Sequence, residues 1–255
     1  ASTVLIFSIT GVTTIRGTNA VMLQNQQSLL QETDDLLREP LNQDIIWDNG
    51  LPTGFYALSS QYKPTPQISR EVVADVDASE LWVVTSGDFR IIINYAGGPE
   101  AITGVNVFFY KNQDDNTPSM VRYAERTATF ISTYTGNTYF DFPEVLMNVT
   151  FDPVTLAAGK WWICFQPVID WDTYWLASNL TGLGSYVSWP DLGYPKWTDD
   201  NDLPLIQKDI DLSFRLFGYI PPQLEIGYIT GGFGIKVQIK NLGTANATNV
   251  SVNIN

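Results

Sequence analysis

Turn-forming words recur through the middle of this 255-residue chain: "DNG" at 48–50, "SGD" at 86–88, "AGG" at 96–98, "NQDDNTP" at 112–118, "TGN" at 135–137 and "AAGK" at 157–160. In each, glycine, asparagine, aspartate or proline lets the backbone bend at low steric cost. Between them stand short words rich in β-branched and aromatic residues: "LWVV", "FRIIINY", "GVNVFFY", "ATFIST", "TYFDF", "VLMNVTF", "WWICFQPV", "YWLAS" and "DLSFRLFGYI". No helical period of useful length runs through them. Roughly eight or nine strands at this spacing predict an antiparallel β-sandwich or jelly roll over 41–218.

The two ends read differently. "PP" at 221–222 marks a hinge, and "QLEIGYIT", "FGIKVQIKN" and "TNVSVNIN" follow as three strands. An immunoglobulin-like sandwich needs about seven strands and about 100 residues. Residues 219–255 therefore predict an incomplete immunoglobulin-like sheet, whose exposed edge calls for a partner. Residues 1–16, "ASTVLIFSITGVTTIR", are too short and too polar for a spanning helix of about 20 residues. They read as a long β-strand, as the remnant of a signal or anchor, or as part of a longer pilin-like helix over 1–39. As a strand, Val4, Leu5, Ile6, Phe7, Ile9, Val12 and Ile15 would be its apolar contacts.

Residues 17–40 predict one amphipathic helix, capped by Thr18 or Asn19 and ended by Pro40. Its leucines and methionine come in pairs seven apart, Met22–Leu23, Leu29–Leu30 and Leu36–Leu37, a narrow stripe suited to one partner surface. Asp34, Asp35 and Glu39 sit at the end that the helix dipole disfavours. The helix thus needs outside contacts, on its own domain or across a subunit junction, with Leu29 and Leu36 as the contact candidates.

Composition removes several functions. The chain has no histidine, so Ser-His-Asp and Cys-His catalysis and most catalytic zinc sites fall away. Its net charge of −13 argues against a nucleic-acid partner. The single cysteine, Cys164, rules out an internal disulfide and reads as a buried thiol. A glycosidase carboxylate pair would be spatial, and nothing singles out two of the 27 acids. No cofactor is implied. Calcium could be held at Asp114–Asp115, Asp199–Asp200–Asp202 or Asp209–Asp211, although none matches the EF-hand loop and a solvated acidic loop is the alternative.

Four N-x-S/T sequons, at Asn148, Asn179, Asn246 and Asn249, suit a glycosylated surface protein. Trp171, Trp175, Trp189 and Trp197 lie among aspartates in 170–202. They are either sugar platforms or core indoles.

The central block resembles a jelly-roll-like module of secreted archaeal and bacterial surface proteins. The resembling words are "WDNGLPTGFYALSSQ", an arginine followed by "VADVD", "GVNVFFYKN", "AGKWWICFQPVI", "YWLAS", "DLGYPKW" and "DLSFRLFGYI", over about residues 46–218. The family often reads "ADDF" where this chain has Ala74-Asp75-Val76-Asp77. The tail, "GGFGIKVQIKNLGTANATNVSVNI", resembles the first strands of the cell-adhesion-related (CARDB-type) immunoglobulin-like domains of prokaryotic surface proteins. Both resemblances imply an extracellular location, and the first implies a non-enzymatic module.

The expected protein is all-β with one helix: an arm over 1–16, the helix over 17–40, a jelly roll over 41–218 and an incomplete immunoglobulin-like domain over 219–255. The arm has the composition of a strand donated from one subunit to the next, which predicts a homo-polymeric surface filament or sheath. A glycan-binding adhesion module of a longer cell-surface protein is the alternative, and a pilin-like subunit is a third reading.

Overall fold

The computed structural model describes residues 4–8, 44–94, 98–178, 184–203, 210–230, 236–248 and 250. In chain order its strands are β1 (Val4–Ser8), β2 (Asp44–Asp48), β3 (Pro52–Ser59), β4 (Gln61–Lys63), β5 (Ile68–Ala78), β6 (Trp82–Ile93), β7 (Gly104–Asn112) and β8 (Pro118–Tyr139). They continue with β9 (Phe142–Leu156), β10 (Gly159–Val168), β11 (Thr173–Ser178), β12 (Ser185–Trp189), β13 (Tyr194–Asp199), β14 (Phe214–Tyr219), β15 (Leu224–Thr230) and β16 (Lys236–Asn241). The predicted helix over 17–40 lies outside the described residues. Among the described residues no helix is long and apolar enough to cross a membrane.

Residues 44–218 form one compact unit. One layer runs β13–β12–β5–β10–β7–β8, with β4 beside β5 and β10. The other runs β8–β9–β6–β11–β3, with β14 on β6 and β2. The described ladders are antiparallel, with β4 and β10 parallel at Tyr62 and Val168. β8 belongs to both layers: its first half pairs with β7 as far as Ala128, and its second half pairs with β9 from Thr129 onward. A 22-residue strand can serve two layers because twist turns its far end out of the plane of the first.

The layers meet through aromatic rings. Phe165 of β10 stacks on Phe89 of β6 at 4.6 Å, and meets Trp175 of β11 and Phe214 of β14 edge-on at 5.5 and 6.2 Å. Alternate residues of β5, β7 and β10 face the other way. There Val73, Phe108, Tyr110, Trp162 and Cys164 make a second cluster, because the first layer curls until β13 reaches β8. Trp197 closes that curl: its ring meets Tyr110 edge-on at 5.0 Å and its Nε1 donates to Ser119 O at 3.1 Å. Burial on both faces explains why Glu71 to Val76 are all buried, and why β5 shows no clean alternation in the sequence.

Two turn words fold otherwise than expected. "SGD" at 86–88 lies inside β6, so "LWVV" and "FRIIINY" are one strand. Gly87 is there for clearance: a Cβ would sit 2.9 Å from Phe165 Cζ and 3.0 Å from Arg215 O. "TGN" at 135–137 is likewise inside β8, where the register with β9 shifts between Tyr134 and Thr138 and Gly136 takes φ 90°. The hairpin actually turns at Phe140 and Asp141, φ 53° and 67°. The "DNG", "NQDDNTP" and "AAGK" words do turn the chain, with Gly50, Asn116 and Gly159 at positive φ.

β1, β15 and β16 belong to a second compact unit as a three-stranded sheet in the order β1–β16–β15. β15 and β16 are antiparallel, with a bulge at Gly227 between Ile226 and Tyr228. β1 lies antiparallel on the free edge of β16, from Val4 opposite Lys240 to Ser8 opposite Lys236. The arm over 1–16 was expected to pair with such a sheet in another subunit; its described part, β1, pairs with β16 of its own chain.

Candidate functional site

The edge joining β1 to β16 is the contact on which the expected assembly depends. Val4, Leu5, Ile6 and Phe7 lie in β1, opposite Lys240, Ile239, Gln238 and Val237. Val237 and Ile239 are buried, whereas Ile226 and Ile229 on β15 stay exposed. Ile9, Val12, Ile15, Leu29 and Leu36 lie outside the described residues.

The candidate tryptophans do not form one platform. Trp175 takes the core alternative: it is fully buried between the layers and donates Nε1 to Ser213 O, so it has no face open to a sugar. Trp189 is half-buried, its Nε1 on Ser59 O at 2.8 Å and its ring edge-on to Tyr194. Trp197 closes the curl described above. Trp171 is the exposed one, at 45%. A separate cavity of about 270 Å³ lies beside the β8–β9 hairpin, lined by Tyr134, Asp141, Phe142, Pro143, Gly98 and Ile93. Tyr134 is half exposed there.

Two polar clusters join residues that sequence reasoning did not bring together. In the first, buried Glu71 of β5 takes a hydrogen bond from Tyr110 Oη and an ion pair from Arg122 Nη2 at 2.7 Å, with Lys196 Nζ at 3.4 Å. Arg122 Nε also donates to Tyr110 Oη at 3.2 Å, and its guanidinium lies 3.6 Å from the centre of the Phe108 ring. Burial, then the neighbouring Cys164 and Glu71, push the Tyr110 phenol well above its usual range. The residues come from four strands far apart in sequence, so no local word announced them.

The second cluster begins in "WDNG". Buried Asn49 donates Nδ2 to Asp211 Oδ1 and to Leu212 O, the latter at 2.8 Å. Burial, then the charge of Asp75, push the Asp211 carboxyl up to about 7. Asp200 is also buried; its Oδ2 accepts from Ile210 N at 2.7 Å and Ser185 Oγ at 3.2 Å. Among the candidate calcium ligands, Asp115 is exposed and its Oδ1 accepts from Thr117, while Asp209 lies outside the described residues. Among the described residues, no three or more side chains of the metal-ligating acid, thiol and imidazole types could hold a metal ion.

Of the sequons, Asn148 is exposed on β9 with Thr150 exposed two residues on, and Asn246 is exposed. Asn179 and Asn249 lie outside the described residues. No protein-family model matches the chain, and no curated protein and no solved structure matches it either.

Proposed function

We propose that the chain is a secreted, non-enzymatic surface protein whose copies join into a filament or sheath by exchanging β1. The observation that supports this reading is the pairing of β1 with β16: a strand from one end of the chain completes an edge made by the other end. A second copy offers the same edge in the same register. Exchange therefore replaces one set of backbone hydrogen bonds with an identical set, and concentration and linker strain set the balance. Repeated head to tail, the contact builds an open polymer. The exposed sequons at Asn148 and Asn246 fit a glycosylated surface.

The test places cysteines at Leu5 and Ile239, which lie directly opposite each other. Such positions are about 4.5–5.5 Å apart at Cα, within disulfide reach. Native Cys164 will not compete, because it is fully buried and burial holds its thiol up at about 12. Oxidation is expected to give a ladder of covalent multimers that lengthens with protein concentration. Cross-linked monomer alone, at every concentration, would refute strand exchange.

A second reading, a glycan-binding adhesion module, draws on the 270 Å³ cavity, which the aromatic residues Tyr134 and Phe142 line together with Asp141. Tyr134→Ala is expected to remove binding on a glycan array without changing the melting temperature. A wild-type protein that binds no glycan ends this reading.

A further inference from the structure

Strand alternation sorts the side chains at the β8–β9 hairpin by charge. Tyr134 is opposite Val145, and Val145 is opposite Ile91, so these three share one face of the sheet with Pro143 and Ile93. That face lines the 270 Å³ cavity. Glu144 belongs to the other face and is 0% exposed. Its carboxylate accepts from Thr135 Oγ1, from Asn137 Nδ2 at 2.7 Å and from Arg90 Nη1 at 2.9 Å. The Arg90 guanidinium is thus committed on the far face, and the same bonds fix the hairpin that shapes the cavity wall.

The charges at the cavity itself are of one sign. Asp141, at the turn of the hairpin, lies in its wall and is exposed. A Cβ on Gly98 would lie 1.9 Å from Tyr134 Oη and 3.0 Å from Glu100 Oε2. The Tyr134 phenol and a second, exposed carboxylate therefore converge on one glycine of the wall, which only a bare backbone at φ 68° permits. None of the described residues lining the cavity is a lysine or an arginine, and the chain as a whole carries −13. Aromatic and apolar walls, two carboxylates and no cation to neutralise them suit a ligand with an apolar side and a positive charge.

We propose, building on the glycan reading of this cavity, that its ligand is a cationic amino sugar: a hexosamine whose free amine is protonated. The apolar side of the sugar ring lies against the aromatic wall, and the ammonium donates to Asp141 and Glu100. Hydrogen bonds between ions of opposite charge are stronger than neutral ones, and the long-range field of the chain draws the cation in. N-acetylation turns the ammonium into a neutral amide. The two carboxylates then lose water to the ligand and gain no charge in return.

The experiment titrates the full chain, at a mildly acidic pH that keeps the amine charged, with a glucosamine oligomer and with the same oligomer N-acetylated. The wild type is expected to bind the free-amine form about 10-fold more tightly, the low end for a hydrogen bond to a charged group. Asp141→Asn with Glu100→Gln is expected to level the two affinities, and Tyr134→Ala to remove both. Should Tyr134→Ala fail to fold, the acid-to-amide variant decides alone, since both acids are exposed. Equal wild-type affinity for the two oligomers would overturn the amino-sugar assignment and leave the glycan reading standing. Binding of neither oligomer, nor of any other glycan, would end both. Free-amine binding that survives Tyr134→Ala, or that a linear polyamine matches, would also overturn the assignment, because the net charge of the chain and not the cavity would then hold the ligand.

Discussion

Phe165→Ala is expected to lower the stability of the 44–218 unit by about 3–5 kcal/mol. Phe165 is fully buried and lies where β10, β6, β11 and β14 converge. Its stack on Phe89 is close to parallel, at 6°, and its ring tip fills the space left open by Gly87. Truncation removes the transfer energy of the ring and leaves a cavity bounded by Phe89, Trp175 and Phe214. These cannot collapse inward without leaving their own strands. Phe165→Leu keeps much of the volume and should cost under about 1.5 kcal/mol. Ile131→Ala, at a side chain 70% exposed, should stay within about 0.5 kcal/mol. Urea unfolding with an unchanged m-value checks all three. A loss below ~2 kcal/mol for Phe165→Ala would mean that the layers do not meet through this ring.

Arg122→Ala is expected to cost about 3 kcal/mol, by leaving a buried carboxylate without its main partner. The Glu71 side chain is 8% exposed, while that of Arg122 is 31% exposed. Water reaching the guanidinium holds the expectation at the lower end for a broken buried pair. What remains near Glu71 is Tyr110 and the more distant Lys196. Glu71→Gln in the Arg122→Ala background should recover part of the loss, because the neutral amide needs no cation. A double-mutant cycle by chemical denaturation measures the coupling, expected at 1 kcal/mol or more. Additive single effects would show that the pair is only a surface contact.

Several features were legible because they are local. Gly50, Asn116 and Gly159 turn the chain as glycine and asparagine do wherever positive φ is needed. "GVNVFFYKN", "WWICFQPV" and "YWLAS" are strands as their composition predicts. Gly87 and Gly136 were misleading for a physical reason. A glycine is also required where a ring or a carbonyl packs against a strand, or where a bulge bends it, and the sequence writes all three needs with one letter. β5 and the β12–β13 hairpin left little trace. Charged Glu71, Asp75 and Lys196 interrupt their apolar pattern, and those charges are tolerated only because partners from other strands meet them.

The sequence by itself determined that the described residues are mostly β-strands, where several of them turn, and that histidine-based chemistry is absent. Those properties rest on backbone preference and side-chain chemistry within a few residues. Only the tertiary structure decided which of Trp171 and Trp175 is exposed, that Glu71 meets Arg122, that Asp200 and Asp211 are buried, and that the first strand pairs with the last. A period-two pattern says that a strand has an inner face, but not what lies against it. That choice is made by pairings between residues as far apart as Leu5 and Ile239, where no local preference reaches.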